Sequence, residues 1–179
     1  MTRIPLADLD QQPEHIREWA NRRGNLNVFR LLANAPNVFP GWTKMVDELY
    51  ASPTFDARLR EIVVLRVAHL QHSAYELAQH RPLGRAAGLT DRQLDALATG
   101  DRDGFDPMER AVLDVVDELC TTRRLRPGSV DAAREVFGDA ALTELLMLVS
   151  CYYGLALVLN AADLDIDVQA QFRDERQAR

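Results

Sequence analysis

Lysine is nearly absent from this 179-residue chain: Lys44 is the only one, and arginine carries the rest of the positive charge. Acidic residues outnumber basic ones 27 to 21, for a formal net charge of −6, and no basic run exceeds Arg22-Arg23 or Arg123-Arg124. A phosphate backbone would meet net repulsion, so nucleic-acid binding is not expected. Cysteine is scarce too. Cys120 and Cys151 lie thirty-one positions apart and form no CxxC, which excludes a dithiol pair or zinc knuckle within the chain. Two buried thiols in a reducing cytosol are expected instead. The opening MTRIPLADLDQQPEH lacks an apolar core of the signal-peptide kind, so a cytoplasmic location is expected. Period-two alternation does not persist anywhere, which disfavours strands.

What is present is helical patterning. With 47% hydrophobic and 27% charged residues the chain can bury a core, and its length suits one domain, with the core at about 38–165 and a frayed tail over 169–179. Apolar residues recur every three or four positions, which predicts an all-α fold. Starts and stops place helices near Pro13–Arg23, Asn27–Ala33, Val38–Leu49, Asp56–Leu70, Ser73–Ala87, Asp91–Ala98, Pro107–Thr122, Ser129–Phe137 and Ala140–Ala162. Thr90, Asp106 and Asp139 are expected caps, Pro107 a first helical residue, and Gly88 a left-handed stop. Leu145 to Ala162 holds eighteen residues without a charge. Ser150, Tyr152, Tyr153 and Asn160 within it favour a helix in a core or subunit interface over a membrane span.

Three of the four histidines share one window, Glu61-IVVLRVA-His69-LQ-His72-SAY-Glu76-LAQ-His80. On one straight helix Glu61 would lie about 28 Å from His80. Ser73-Ala-Tyr-Glu76, however, matches the capping box S-x-x-E. A turn ahead of Ser73 would fold one rod back on the next and set the Glu61 carboxylate beside the His80 imidazole. The bland reading is that Ser73 and Glu76 only cap a helix, that Glu61 pairs with Arg58 at the surface, and that His80 is a core histidine.

The run Arg58-Leu-Arg60-Glu61-Ile-Val-Val-Leu65, then Tyr75-Glu76-Leu77-Ala-Gln-His80 and Gly88-Leu-Thr-Asp91, resembles the carboxymuconolactone decarboxylase family within the alkylhydroperoxidase D superfamily. The likeness is strongest over Phe55–Leu97. The resemblance implies an AhpD-like helical bundle assembled as a homo-oligomer, a trimer or hexamer. In the family's peroxidase branch, cysteines follow the glutamate at twelve and fifteen positions and a histidine at nineteen; counted from Glu61 these are Ser73, Glu76 and His80. Both thiols are replaced, so thiol peroxidase activity is not expected. Leu77 stands where the family commonly has tryptophan.

The resemblance to the cysteine-free branch implies cofactor-independent acid–base chemistry on a small carboxylated lactone or related metabolite. A carboxylate beside an imidazole orients the ring, and two nearby carboxylates split their proton affinities. Glu61 would orient His80 to move a proton, Glu76 would take the complementary role, and Tyr75 or Ser73 would hydrogen-bond a developing oxyanion. His72, Arg58 and Tyr152 are the expected substrate contacts, while Arg60, Arg66 and Arg81 are further cations that sequence does not rank. Two rivals remain: a metal site on His72, Glu76 and His80 at four-residue steps, stretched over about 12 Å on one helix, and a non-enzymatic oligomer that binds a small molecule. No metal, membrane or nucleic-acid partner is expected.

Overall fold

The computed structural model describes residues 1–167, and among these it is helical with no strand. The α-helices are α1 (Glu14–Arg22), α2 (Asn27–Leu32), α3 (Phe39–Tyr50), α4 (Ala57–Leu70), α5 (Ala74–Ala86), α6 (Asp91–Thr99), α7 (Pro107–Thr122) and α8 (Pro127–Ala162), preceded by one 3-10 turn, Leu9–Gln11. The chain divides into two compact units, Met1–Val46 with the chain from Leu159 on, and Asp47–Val158.

The first unit is organised by aromatic packing. Trp19 makes edge-on contacts with Phe29 and Phe39 at centroid distances of 4.9 and 5.6 Å, and Arg23 stacks on its ring at 4.0 Å.

The second unit is built around α4. Residues Arg60 to Ala68 are all buried, so this helix has no solvent face, and it packs on α5, α6 and α7. The Arg66 guanidinium crosses the core to donate to both Asp117 oxygens at 2.5 and 3.1 Å and to the Leu97 carbonyl at 2.7 Å, tying α4 to α7 and α6. Gly84 on α5 lets that helix come close: a Cβ there would stand 3.0 Å from Leu65 and 3.1 Å from Leu94. Capping follows the sequence at Thr90–Gln93 and Asp106–Glu109, both reciprocal boxes, with Pro107 at the start of α7 and Gly88 left-handed after α5.

Gly138, at φ 72 and ψ 169, breaks α8 into two helical stretches where the sequence predicts a boundary. The Asp139 side chain, expected as a cap, holds Arg134 at 2.6 Å. By length and composition α8 could cross a membrane, with mean hydropathy 1.9 over its most apolar eighteen residues. Its inward residues Leu145, Leu148, Val149, Tyr152 and Ala156 are buried within the protein. The expected tail at 169–179 lies outside the described residues.

The turn between α4 and α5 decides where the chemistry can be. His72 takes a left-handed conformation at φ 53, the Ser73 amide reaches back to the Ala68 carbonyl at 2.9 Å, and the His72 amide reaches the His69 carbonyl at 3.2 Å. These two bonds form a Schellman closure, with His72 where glycine or asparagine usually sits. His72, expected to contact substrate, is instead an exposed turn residue. Its backbone conformation costs a residue with a Cβ about 1 kcal/mol. His72→Gly is therefore expected to raise the unfolding free energy by up to about 1 kcal/mol in urea titration. A loss of stability would show that the imidazole itself holds the turn.

Candidate active site

Reversal at His72 brings the second half of the window back along the first. Glu61, in the second turn of α4, and His80, in the second turn of α5, meet with Glu61 Oε2 2.8 Å from His80 Nδ1. Both are buried, at 2% and 9% exposure. An ionised carboxylate only accepts, so the Nδ1 hydrogen donates to it and the ring's other nitrogen, Nε2, becomes the position that exchanges protons. Tyr152, from α8, packs edge-on against the imidazole with centroids 5.4 Å apart. Its hydroxyl shares a 2.9 Å hydrogen bond with the hydroxyl of Tyr50 at the end of α3. Burial, reinforced by Tyr50 and the Glu61 charge, holds the Tyr152 phenol well above its ordinary range, so it stays neutral.

Glu76 is the unusual member. The capping box that its spacing suggests does not form: Ser73 is the N-cap of α5, yet its side chain makes no capping bond. The Ser73 hydroxyl and both Glu76 carboxyl oxygens are buried without a hydrogen-bond partner. Polar atoms in that state cost about 1–3 kcal/mol each, and such unsatisfied groups concentrate where a ligand or water completes them. Burial pushes the Glu76 carboxyl up to about 7; the nearby Ser73 hydroxyl, outside hydrogen-bond geometry, and the His80 ring oppose the rise. Cys151 on α8 lies in the field of Glu76, and its thiol is itself pushed up to about 11, chiefly by burial. A thiol held there is not a thiolate at neutral pH.

The remaining sequence candidates separate cleanly. Tyr75 is buried on α5, one residue from Glu76 and so about 100° around the helix. Arg58, expected on substrate, is already committed: Nε donates to the buried Glu109 carboxylate at 2.6 Å and Nη1 to the Gly88 carbonyl at 2.5 Å. It clamps α4 to the start of α7. The stripe of His72, Glu76 and His80 does not exist as a single face, because His72 stands in the turn ahead of α5. Among the described residues no three His, Cys, Asp or Glu side chains group as a metal site.

Sequence reasoning missed Tyr50. It lies 102 residues from the tyrosine it bonds, and no local pattern links them. It also left Arg60 unranked, although a charged side chain at the head of a run of apolar residues is itself a signal.

The raised Glu76 carboxyl has a consequence for stability. Below about 4.5 the group is neutral both folded and unfolded; as pH rises the unfolded chain ionises it first, so native stability falls until about 7 and then levels. The rise from 4.5 to about 7 corresponds to roughly 3 kcal/mol. Urea midpoints at pH 5 and pH 8 should show Glu76→Gln losing that fall. An unchanged pH dependence would mean that Glu76 ionises normally.

The carboxymuconolactone decarboxylase family model matches residues 36–118, a stretch that carries Glu61, Ser73, Glu76 and His80. The alkylhydroperoxidase AhpD core, an uncharacterized peroxidase-related protein from Ralstonia eutropha JMP134, superimposes with a TM-score of 0.83 at 20% identity, over 93% of each chain. An uncharacterized peroxidase-related protein from Silicibacter sp. TM1040 gives 0.81 at 16% identity, over 94% of this chain and 93% of that one. A variant of the debrominase Bmp8 in complex with 2,3,4-tribromopyrrole gives 0.74 at 15%, over 93% of this chain and 91% of that one. At these identities the likeness is one of fold. No curated protein matches the sequence. The chain thus matches the carboxymuconolactone decarboxylase family model over a segment that holds both halves of the Glu61–His80 pair, and it shares its helical fold with AhpD-like structures.

Proposed function

We propose that this protein is a cytoplasmic, carboxymuconolactone decarboxylase-like enzyme that performs cofactor-independent acid–base chemistry on a small carboxylated lactone or related metabolite. The observation that carries this reading is the Glu76 carboxyl, buried and unpartnered beside an imidazole held by a second carboxylate. Two carboxyl groups in unlike surroundings supply an acid and a base together near neutral pH.

In such a reaction the bond between carbon and the departing carboxylate breaks, its electron pair enters the substrate's conjugated system toward the lactone carbonyl, CO2 leaves, and a proton is added at carbon. Glu76, protonated below about 7, delivers that proton. His80, oriented through Nδ1 by Glu61, returns a proton from water through Nε2. The unpartnered Ser73 hydroxyl donates to the oxyanion that develops on the substrate. Thiol peroxidase chemistry has no support, since Cys120 and Cys151 are both held up to about 11 by burial.

Carboxymuconolactone and a panel of small carboxylated lactones, followed by NMR in deuterated buffer, would test the chemistry through CO2 loss and deuterium incorporation. The wild type should act on at least one, with a rate that falls as pH rises through about 7. His80→Ala should lose about 10²–10⁴-fold, and Glu76→Gln should lose the limb near 7. Full activity in folded His80→Ala, or a wild type inert toward the whole panel, would overturn the proposal.

The assembly expected from the family resemblance, a homo-oligomer, is likewise a proposal. It is supported by Met147, Leu157 and Val158, exposed at 47%, 53% and 42% on the uncharged part of α8. Light scattering is expected to report a trimer or hexamer, and Leu157→Asp to dissociate it; a monomeric wild type would contradict this.

A further inference from the structure

Four arginines lie near the window, and the structure separates one from the rest. Arg58 is held by Glu109 and the Gly88 carbonyl, Arg66 by Asp117 and the Leu97 carbonyl, and Arg81 by Asp95 at 2.6 Å. Arg60 has no carboxylate partner among the described residues. It is only 9% exposed. Its guanidinium carbon lies 4.1 Å over the Tyr50 ring, Nη1 makes a long 3.5 Å contact with the Tyr50 carbonyl, and Nε is buried without a hydrogen-bond partner. A nearly buried cation that meets a π-face and one long hydrogen bond, with Nε unpartnered, has room for an anion.

Arg60 immediately precedes Glu61 on α4, so the two side chains leave adjacent backbone positions. The ring beneath the guanidinium also leads inward: Tyr50 bonds Tyr152, and Tyr152 packs on His80. Tyr50 is 39% exposed whereas Tyr152 is 5% exposed, so the cation lies beside the solvent end of this series and the imidazole at its buried end. An anionic molecule approaching the Glu61 carboxylate would be repelled unless a positive charge received it, and of the four arginines Arg60 is the one that no carboxylate holds among the described residues.

We propose that Arg60, stacked on Tyr50, is the subsite for an anionic group that the substrate keeps, a carboxylate on a small planar conjugated acid, distinct from the group that reacts beside His80 and Glu76. The substrate then carries a retained carboxylate held by the planar guanidinium fork, because pairing the departing carboxylate with a cation would oppose its loss. This rests on the reading of Glu61, His80 and Glu76 as the reaction centre, but its test reads binding and not turnover.

The probes are 2-furoate and its uncharged isostere 2-furamide, titrated into the full-length protein by NMR. The wild type is expected to bind furoate at least tenfold more tightly than furamide, and His80→Ala to keep that preference even if it is inert. Arg60→Met should abolish the preference while leaving furamide affinity unchanged. Arg60→Lys, which keeps the charge without the fork, should reduce it severalfold, and it stands in should Arg60→Met fail to fold. Equal affinities in the wild type, binding of neither probe, or an undiminished preference in the Arg60 variants would overturn the proposal. So would an Arg60→Met protein that keeps the preference but changes mass by light scattering, since the missing anion would then be a carboxylate from a second copy of the chain.

Discussion

A 2.8 Å contact between Glu61 and His80, out of water and between two antiparallel helices, is the constraint on which the site depends. It requires the chain to reverse within three residues, Gln71 to Ser73, and the left-handed backbone of His72 does this. Arg66, reaching from α4 to Asp117 and Leu97, and Arg58, reaching to Glu109 and Gly88, then lock α4 against α6 and α7. With Arg60 to Ala68 buried, the Glu61 carboxylate is held against the ring, and it fixes which imidazole nitrogen is free to exchange a proton.

Glu76 shows how local sequence pattern and tertiary environment compete. Its spacing from Ser73 suits a capping box, and the same box does form at Thr90 and at Asp106, where the third-position residue reaches back to the cap amide. At Ser73 the cap amide is already used by the Ala68 carbonyl in closing α4. The carboxyl therefore has no amide to return to, and it is left in the protein interior with its proton affinity raised. The same pattern gives a reciprocal capping box in two places and a buried, unpartnered carboxyl in the third.

Much of the fold is legible in the residues. Helix periods, the caps at Thr90 and Asp106, the stop at Gly88 and the break at Gly138 are all local signals, and the structure follows each of them. The Glu61–His80 meeting is legible too, because a turn before Ser73 leaves little else for a nineteen-residue separation to do. What is not legible depends on contacts between distant segments. Tyr50 reaches Tyr152 across 102 residues, and the ranking of four arginines follows from which carboxylates α6 and α7 place beside them. His72 is a related case: its side chain suggests a ligand in the sequence, and the structure shows the use the fold makes of its backbone.

Nitrogen-15 NMR of the imidazole rings, with His80 assigned by its loss in a substituted protein, tests the central arrangement most directly. At a pH where the ring is neutral, His80 should be the Nδ1–H tautomer with a strongly deshielded, exchange-protected proton, and Glu61→Gln should remove both features. An Nε2–H tautomer, or a ring unaffected by Glu61→Gln, would contradict the account.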